Sequence, residues 1–114
     1  MIYDVKKSVW DALEACRAIQ EFTTGETLAT YQADIKLRYA VERSFEIMGE
    51  AFNRIDAADP KFRDVLPEMG KIIGMKNRIN HGYDRVDDTI VWVTLTTDVP
   101  ILTAKLAAWL ETRQ

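Results

Sequence analysis

The chain has 114 residues, of which 47% are apolar and 29% charged. That suffices for one domain with one core, leaves no room for a second, and lies far from the composition of a disordered chain. With 18 acidic against 15 basic residues the net charge is −3, which excludes a generally basic nucleic-acid-binding surface. Any RNA contact must then rest on a local patch.

The single cysteine, Cys16, cannot close a disulfide within the chain, and its place in an apolar helical pattern marks it as a small buried hydrophobe. No stretch reads as the roughly 18 apolar residues of a membrane span, and the N-terminus lacks a signal-peptide core, so the cytoplasm is the expected location.

Residues 2 to 22 have a helical period. Ile2, Val5, Val9, Leu13, Cys16, Ile19 and Phe22 recur at steps of three and four, and Gly25 is a plausible stop. A second helix is predicted to begin between Thr27 and Gln32 and to run to about Ala57, with its seam at Leu37, Val41, Phe45, Met48, Phe52 and Ile55. Beside that seam lies a second stripe, Glu42, Glu46, Gly49 and Asn53. It reads either as a solvated edge or as a face on which the glycine admits another helix while the carboxylates orient groups on that neighbour.

Asp59-Pro60 has the form of an N-cap with proline at the first helical position, opening a short turn through Val65. Pro67 opens the next helix, on which Met69, Ile72, Lys76 and Ile79 form one face. Gly70, Gly74, Asn77 and His81 form another. Glycine inside a helix costs roughly 1 kcal/mol relative to alanine, so two of them predict a close helix crossing at Asn77 and His81. Gly82 is the expected helix end.

Ile90 to Thr97 is rich enough in β-branched and aromatic residues to pass for a strand. The helical period of Val91, Leu95, Val99, Leu102, Leu106 and Leu110 runs straight through it, with Asp87 and Asp88 as caps, so a helix is predicted. Pro100 should kink that helix without ending it. The expected architecture is an all-α, up-and-down bundle of four to five helices over residues 1–114 as a single domain.

Chemistry concentrates in Gly74-Met75-Lys76-Asn77-Arg78-Ile79-Asn80-His81-Gly82-Tyr83, which holds the only histidine in the chain. His81 falls in the last turn of its helix, where the dipole favours the imidazolium and suits proton transfer near neutral pH. Lys76 and Arg78 supply positive charge, Asn77 lies one turn below His81, and Tyr83 follows. No Gly-rich phosphate loop, cysteine pair or HExxH-like cluster is present, so no metal or cofactor is expected. The set fits phosphodiester cleavage with histidine as proton shuttle and a cation on the phosphate. A lone histidine at a helix end also serves as a cap or interface residue, and that reading stays open.

The same stretch, followed by Asp87, resembles the signature of the HepT-like toxins of the HEPN superfamily. Val41-Glu42-Arg43-Ser44-Phe45-Glu46-Ile47-Met48-Gly49-Glu50-Ala51 is similar to their second-helix motif, and Ile90-Val91-Trp92 with Asp98-Val99-Pro100 is similar to their kinked last helix. The resemblance implies an all-α homodimer with both motif helices facing one cleft. It implies a metal-independent endoribonuclease, the toxin of a type VII toxin–antitoxin pair. A minimal nucleotidyltransferase antitoxin would be the partner, silencing the toxin by adding AMP to the tyrosine two residues after the histidine. That histidine is His81, that tyrosine is Tyr83, and Asn77 is the polar residue after the motif arginine, with Glu42 and Glu46 in support. The 2′-hydroxyl of the RNA substrate would be the nucleophile, leaving a 2′,3′-cyclic phosphate.

The sequence departs from the family pattern at one position. The motif calls for arginine, four to six intervening residues, then histidine, and Lys76 stands where the arginine belongs. Lysine keeps the charge but not the planar fork that grips phosphate in a bidentate manner. Two outcomes follow: Lys76 with Arg78 supports cleavage, or the chain is a weak or inactive protein that serves as binding partner or substrate of a nucleotidyltransferase.

Overall fold

A computed structural model of the chain describes residues 5–81 and 86–113, with the side chains of Asn80 and His81 outside the described set. The expectations placed on Ile2, Gly82 and Tyr83, and on the His81 side chain, fall outside the described residues. Among those described there are six helices: α1 Val5–Thr23, α2 Leu28–Ala33, α3 Ile35–Ala58, α4 Phe62–Val65, α5 Met69–His81 and α6 Asp88–Glu111. The chain is an all-α helical bundle.

α1 buries Val9, Leu13, Cys16 and Ile19 as its period predicts, although Phe22 is exposed at its C-terminal end. It ends before Gly25, whose φ of +79° is a left-handed conformation that glycine adopts without a Cβ penalty. The predicted single helix from Thr27–Gln32 onward is in fact two. Thr27 and Thr30 form a reciprocal capping box that starts α2. The Asp34 carboxylate then accepts the Leu37 amide at 3.1 Å and starts α3 afresh. With extended backbone at Asp34 the ladder cannot run through, and α2 becomes a short prop that drives Tyr31 into the core against Trp92, ring centroids 5.5 Å apart.

α3 is the central element. Its seam of Leu37, Val41, Phe45, Met48, Phe52 and Ile55 is buried throughout, and it packs against α1 on one side and α5 on the other. Asp59 closes α3 and does not cap the next turn. Its amide donates to Ile55 O at 2.8 Å, its carbonyl accepts the Phe62 amide, and α4 starts only after Lys61. The reason is local: the Asp59 main chain is already committed to the end of α3. α5 begins two residues after Pro67.

α6 packs on α1 and runs unbroken through Pro100, with Asp87 capping it by accepting the amides of Thr89 and Ile90. Val91, Leu95, Val99, Leu102 and Leu106 point inward. Among the described helices it is the one long and apolar enough to cross a membrane, with a mean hydropathy of 1.3 over 18 residues. Asp98 and Lys105, its only charged residues between Asp88 and Glu111, both reach the start of α5. Lys71 Nζ meets Asp98 at 2.7 Å, and Lys105 Nζ lies 3.1 Å from both Glu68 carboxylate oxygens. These pairs tie α6 to α5 across the bundle.

Candidate active site

α5 runs antiparallel to α3; the two meet at Lys76 and Gly49, and contacts that α4 and α6 make with α3 flank that meeting. Near the start of α5, Arg63 holds Asp56 through two bonds of 2.7 and 3.1 Å. In the middle, Lys76 meets Gly49. Just beyond the end of α5, Arg38 lies 4.0 Å from Asp88.

The middle contact is the tightest. A Cβ placed on Gly49 would fall 2.4 Å from Lys76 Cβ and 2.8 Å from its Cγ, so glycine is what lets the lysine stem lie flat on α3. The lysine head then turns out to Glu50, Nζ to Oε1 3.0 Å, with its side chain only 12% exposed. An apolar stem buried with the charge led to a partner is the usual way lysine crosses a packed interface. The glycine of the Glu42–Glu46–Gly49–Asn53 stripe therefore admits another helix, as one of its two readings held.

The crossing predicted at Gly70, Gly74 and Asn77 is not formed among the described residues. A Cβ on Gly74 would meet nothing within 4 Å, one on Gly70 only the Arg63 guanidinium at 3.1 Å, and Asn77 is exposed. The close approach needed one glycine opposite a side-chain stem, and Gly49 supplies it.

At 100° per residue, Asn77 and Arg78 lie within about 60° of position 81, whereas Lys76 lies about 140° away. The backbone of α5 thus carries Gly74, Asn77, Arg78 and residue 81 on its outer face, while Lys76 sits on the inner one with Met69 and Ile72. Asn77 and Arg78 are exposed, and Arg78 has no ion-pair partner among the described residues. Sequence reasoning grouped Lys76 with Arg78 as one cationic pair; the helix separates them.

Glu42 and Glu46 are half-buried on the side of α3 that faces the C-terminal end of α5. Burial raises the Glu42 carboxyl above the ordinary carboxylate value, Asp88 and Glu46 push the same way, and Arg38 opposes them. Beneath it Tyr31 is fully buried, and its hydroxyl finds no hydrogen-bond partner among the described residues. Burial raises its pKa first, then the charges of Glu42 and Asp88. Glu50 and Arg38 have no role legible from the sequence, and Asp88 only that of a helix cap, because their contacts depend on which helices meet. Among the described residues no three of His, Cys, Asp and Glu gather to hold a metal ion.

The family model described as ribonuclease HepT-like matches residues 12–108, a span that takes in the Gly49–Lys76 crossing and the whole outer face of α5. The chain belongs to the HepT-like ribonuclease family. A relative from Thermococcus cleftensis, named Probable ribonuclease HepT, is 33% identical over 83% of this HepT-like chain and 86% of its own length. One from Methanocaldococcus jannaschii, named as a candidate RNase, is 32% identical over 85% of the chain and 88% of its own. A bacterial relative from Caldanaerobacter subterraneus, also named as a candidate RNase, is 29% identical over 79% of the HepT-like chain and 80% of its own. No solved structure matches it.

Proposed function

We propose that this HepT-like chain is an endoribonuclease of the cytoplasm that cleaves RNA without a metal. The observation that carries the reading is the outer face of α5, where Asn77 and Arg78 are exposed, Arg78 has no ion-pair partner among the described residues, and the helical turn brings position 81 to the same side. In this mechanism His81 takes the proton from a ribose 2′-hydroxyl. The 2′-oxygen attacks the adjacent phosphorus and the bond to the 5′-oxygen breaks. A proton passes to that leaving oxygen, and a 2′,3′-cyclic phosphate remains. Arg78 faces the phosphate as the cation of the outer face, Asn77 orients it, and Lys76 contributes charge from behind the helix to the extent that Glu50 releases it. Glu42 and Glu46 line the approach to the histidine. The same reading has two protomers bringing their α5 faces to one cleft, which the exposed Gly74 and Asn77 suit.

The test uses RNA and an oligonucleotide of the same sequence carrying a 2′-deoxy sugar at the cut position, both in EDTA. Cleavage of the first to cyclic-phosphate ends, with the second left intact, supports the mechanism. Equal cleavage of both, or cleavage that requires an added metal, contradicts it.

A second reading is favoured by the Lys76–Glu50 bridge, which occupies the cation at the motif position. In it the chain is the target and binding partner of a minimal nucleotidyltransferase antitoxin and cuts RNA weakly or not at all. Tyr83 is the AMP acceptor in both readings. Incubation with the nucleotidyltransferase encoded nearby, ATP and magnesium should add the mass of AMP to the wild type and not to Tyr83→Phe. If Lys76→Arg cleaves RNA that the wild type leaves intact, the second reading holds for the natural protein.

A further inference from the structure

The exposed side of α3 carries a ridge of which the catalytic reading uses only Glu50. Tyr39, Arg43, Ile47, Glu50 and Arg54 follow one another at steps of three and four, all exposed, and Tyr39 is 63% exposed. Between this ridge and α1 lies a groove of about 470 Å³ lined by Asp11, Glu14, Arg43, Ser44, Glu50 and Arg54, among others. Its carboxylates are already neutralised. Asp11 is bound by Lys7 and by Arg54 at 3.4 Å, Glu14 by Arg17 at 3.3 Å, and Glu50 by Lys76 at 3.0 Å. Arg43 has no ion-pair partner among the described residues, so the groove presents one uncommitted cation.

The ridge lies on the same side of the bundle as the outer face of α5. In two antiparallel right-handed helices, a step of one residue beyond the facing position turns toward the same side of the shared groove. The facing positions here are Gly49 and Lys76, so Glu50 and Asn77 look out on one side. Counting five residues on from Lys76 and five back from Gly49 brings position 81 level with Ser44, beside Arg43. Neighbouring helix axes lie roughly 8–10 Å apart, so a strand leaving position 81 toward α3 arrives at Arg43. Tyr39 stands one turn further along, a rise of roughly 6 Å, which one or two nucleotides span.

We propose that Arg43 and Tyr39 form a binding subsite for single-stranded RNA next to the scissile position, with Arg43 holding a backbone phosphate and Tyr39 stacking on a base. A cation paired with an exposed aromatic at this spacing is the usual means of gripping a single strand without reading its sequence. The proposal rests on the ribonuclease reading, and its test separates the two. Binding of a short labelled single-stranded RNA is measured in the His81→Ala protein, so that cleavage does not intervene. Arg43→Ala and Tyr39→Ala added to it should each weaken binding by roughly tenfold. Arg43→Ala should also lower the slope of log affinity against log salt by about 0.7, as the loss of one phosphate contact requires. Tyr39→Phe should bind like the parent, and so should Lys61→Ala, which lies beyond the far end of α3. Both ridge residues are exposed, so circular dichroism should find the variants folded. If the wild type cleaves RNA while neither alanine variant changes binding, the subsite is wrong and the ribonuclease reading stands. If the parent binds no RNA, both fall together.

Discussion

Lys76 lies across Gly49 with its stem against the glycine backbone and its ammonium 3.0 Å from Glu50. The position at which the family pattern calls for arginine is thus a contact between α3 and α5 before it is anything else. A longer arginine there would keep the stem and carry a planar fork past Glu50, whereas lysine ends at the bridge.

Gly49→Ala should destabilise the protein despite the higher helix propensity of alanine. The gain is about 1 kcal/mol, but the new Cβ would sit 2.4 Å from Lys76 Cβ, which is no flexible chain end. Forcing α5 away costs about 1–3 kcal/mol, so the thermal midpoint should fall. Lys76→Ala should not rescue it, because the nearest clashing atom remains, whereas Lys76→Gly should.

Glu50 and Lys76 should be thermodynamically coupled. Lys76 is largely shielded and Glu50 half exposed, so a double-mutant cycle of Glu50→Gln and Lys76→Met should give about 0.5–1 kcal/mol, shrinking in salt. A coupling of zero at low salt would mean that the bridge does not persist in solution.

Glu42 gives stability a pH dependence of known sign. Its folded pKa is raised above 4.5, first by burial and then by Asp88 and Glu46 against Arg38. Its contribution is therefore fully present below the ordinary value and is lost as pH rises through the folded one. Glu42→Gln lacks that loss. Denaturant midpoints from about pH 4 to about pH 7 should show the variant gaining on wild type as pH rises. A constant gap would contradict the assignment.

Cys16 should be inert in the folded chain. It is fully buried beside Met48, 3.8 Å between sulfurs, and burial pushes its thiol up to about 12. A thiol reagent at mildly alkaline pH should label it only at the rate of unfolding. Labelling as rapid as that of the denatured protein would show the helix-one core to be open.

Much of this architecture was legible because helix faces are a local property. The periods of α1, α3 and α6 marked the residues that are buried, and the strand-like composition of Ile90–Thr97 was outweighed by spacing. What failed was non-local or turned on one side chain. The break before α3 hangs on the Asp34 carboxylate taking the Leu37 amide, in a polar stretch whose pattern allowed a continuous helix. Glycines occur on both α3 and α5, and spacing cannot say which one another helix will meet. Of the glycines that read as places of close approach, Gly49 makes one among the described residues and Gly70 and Gly74 do not. For the same reason nearness in sequence groups Lys76 with Arg78, and nothing local marks Glu50, adjacent to Gly49, as its partner.

The central claim is that the outer face of α5 cuts RNA through His81. It is tested most directly by incubating wild type and folded His81→Ala, free of AMP, with the same RNA in EDTA. The account predicts cleavage by the wild type to 2′,3′-cyclic phosphate ends and a loss of about a hundredfold or more in the variant. Equal cleavage by both proteins, or none by the wild type across several RNAs, would contradict it.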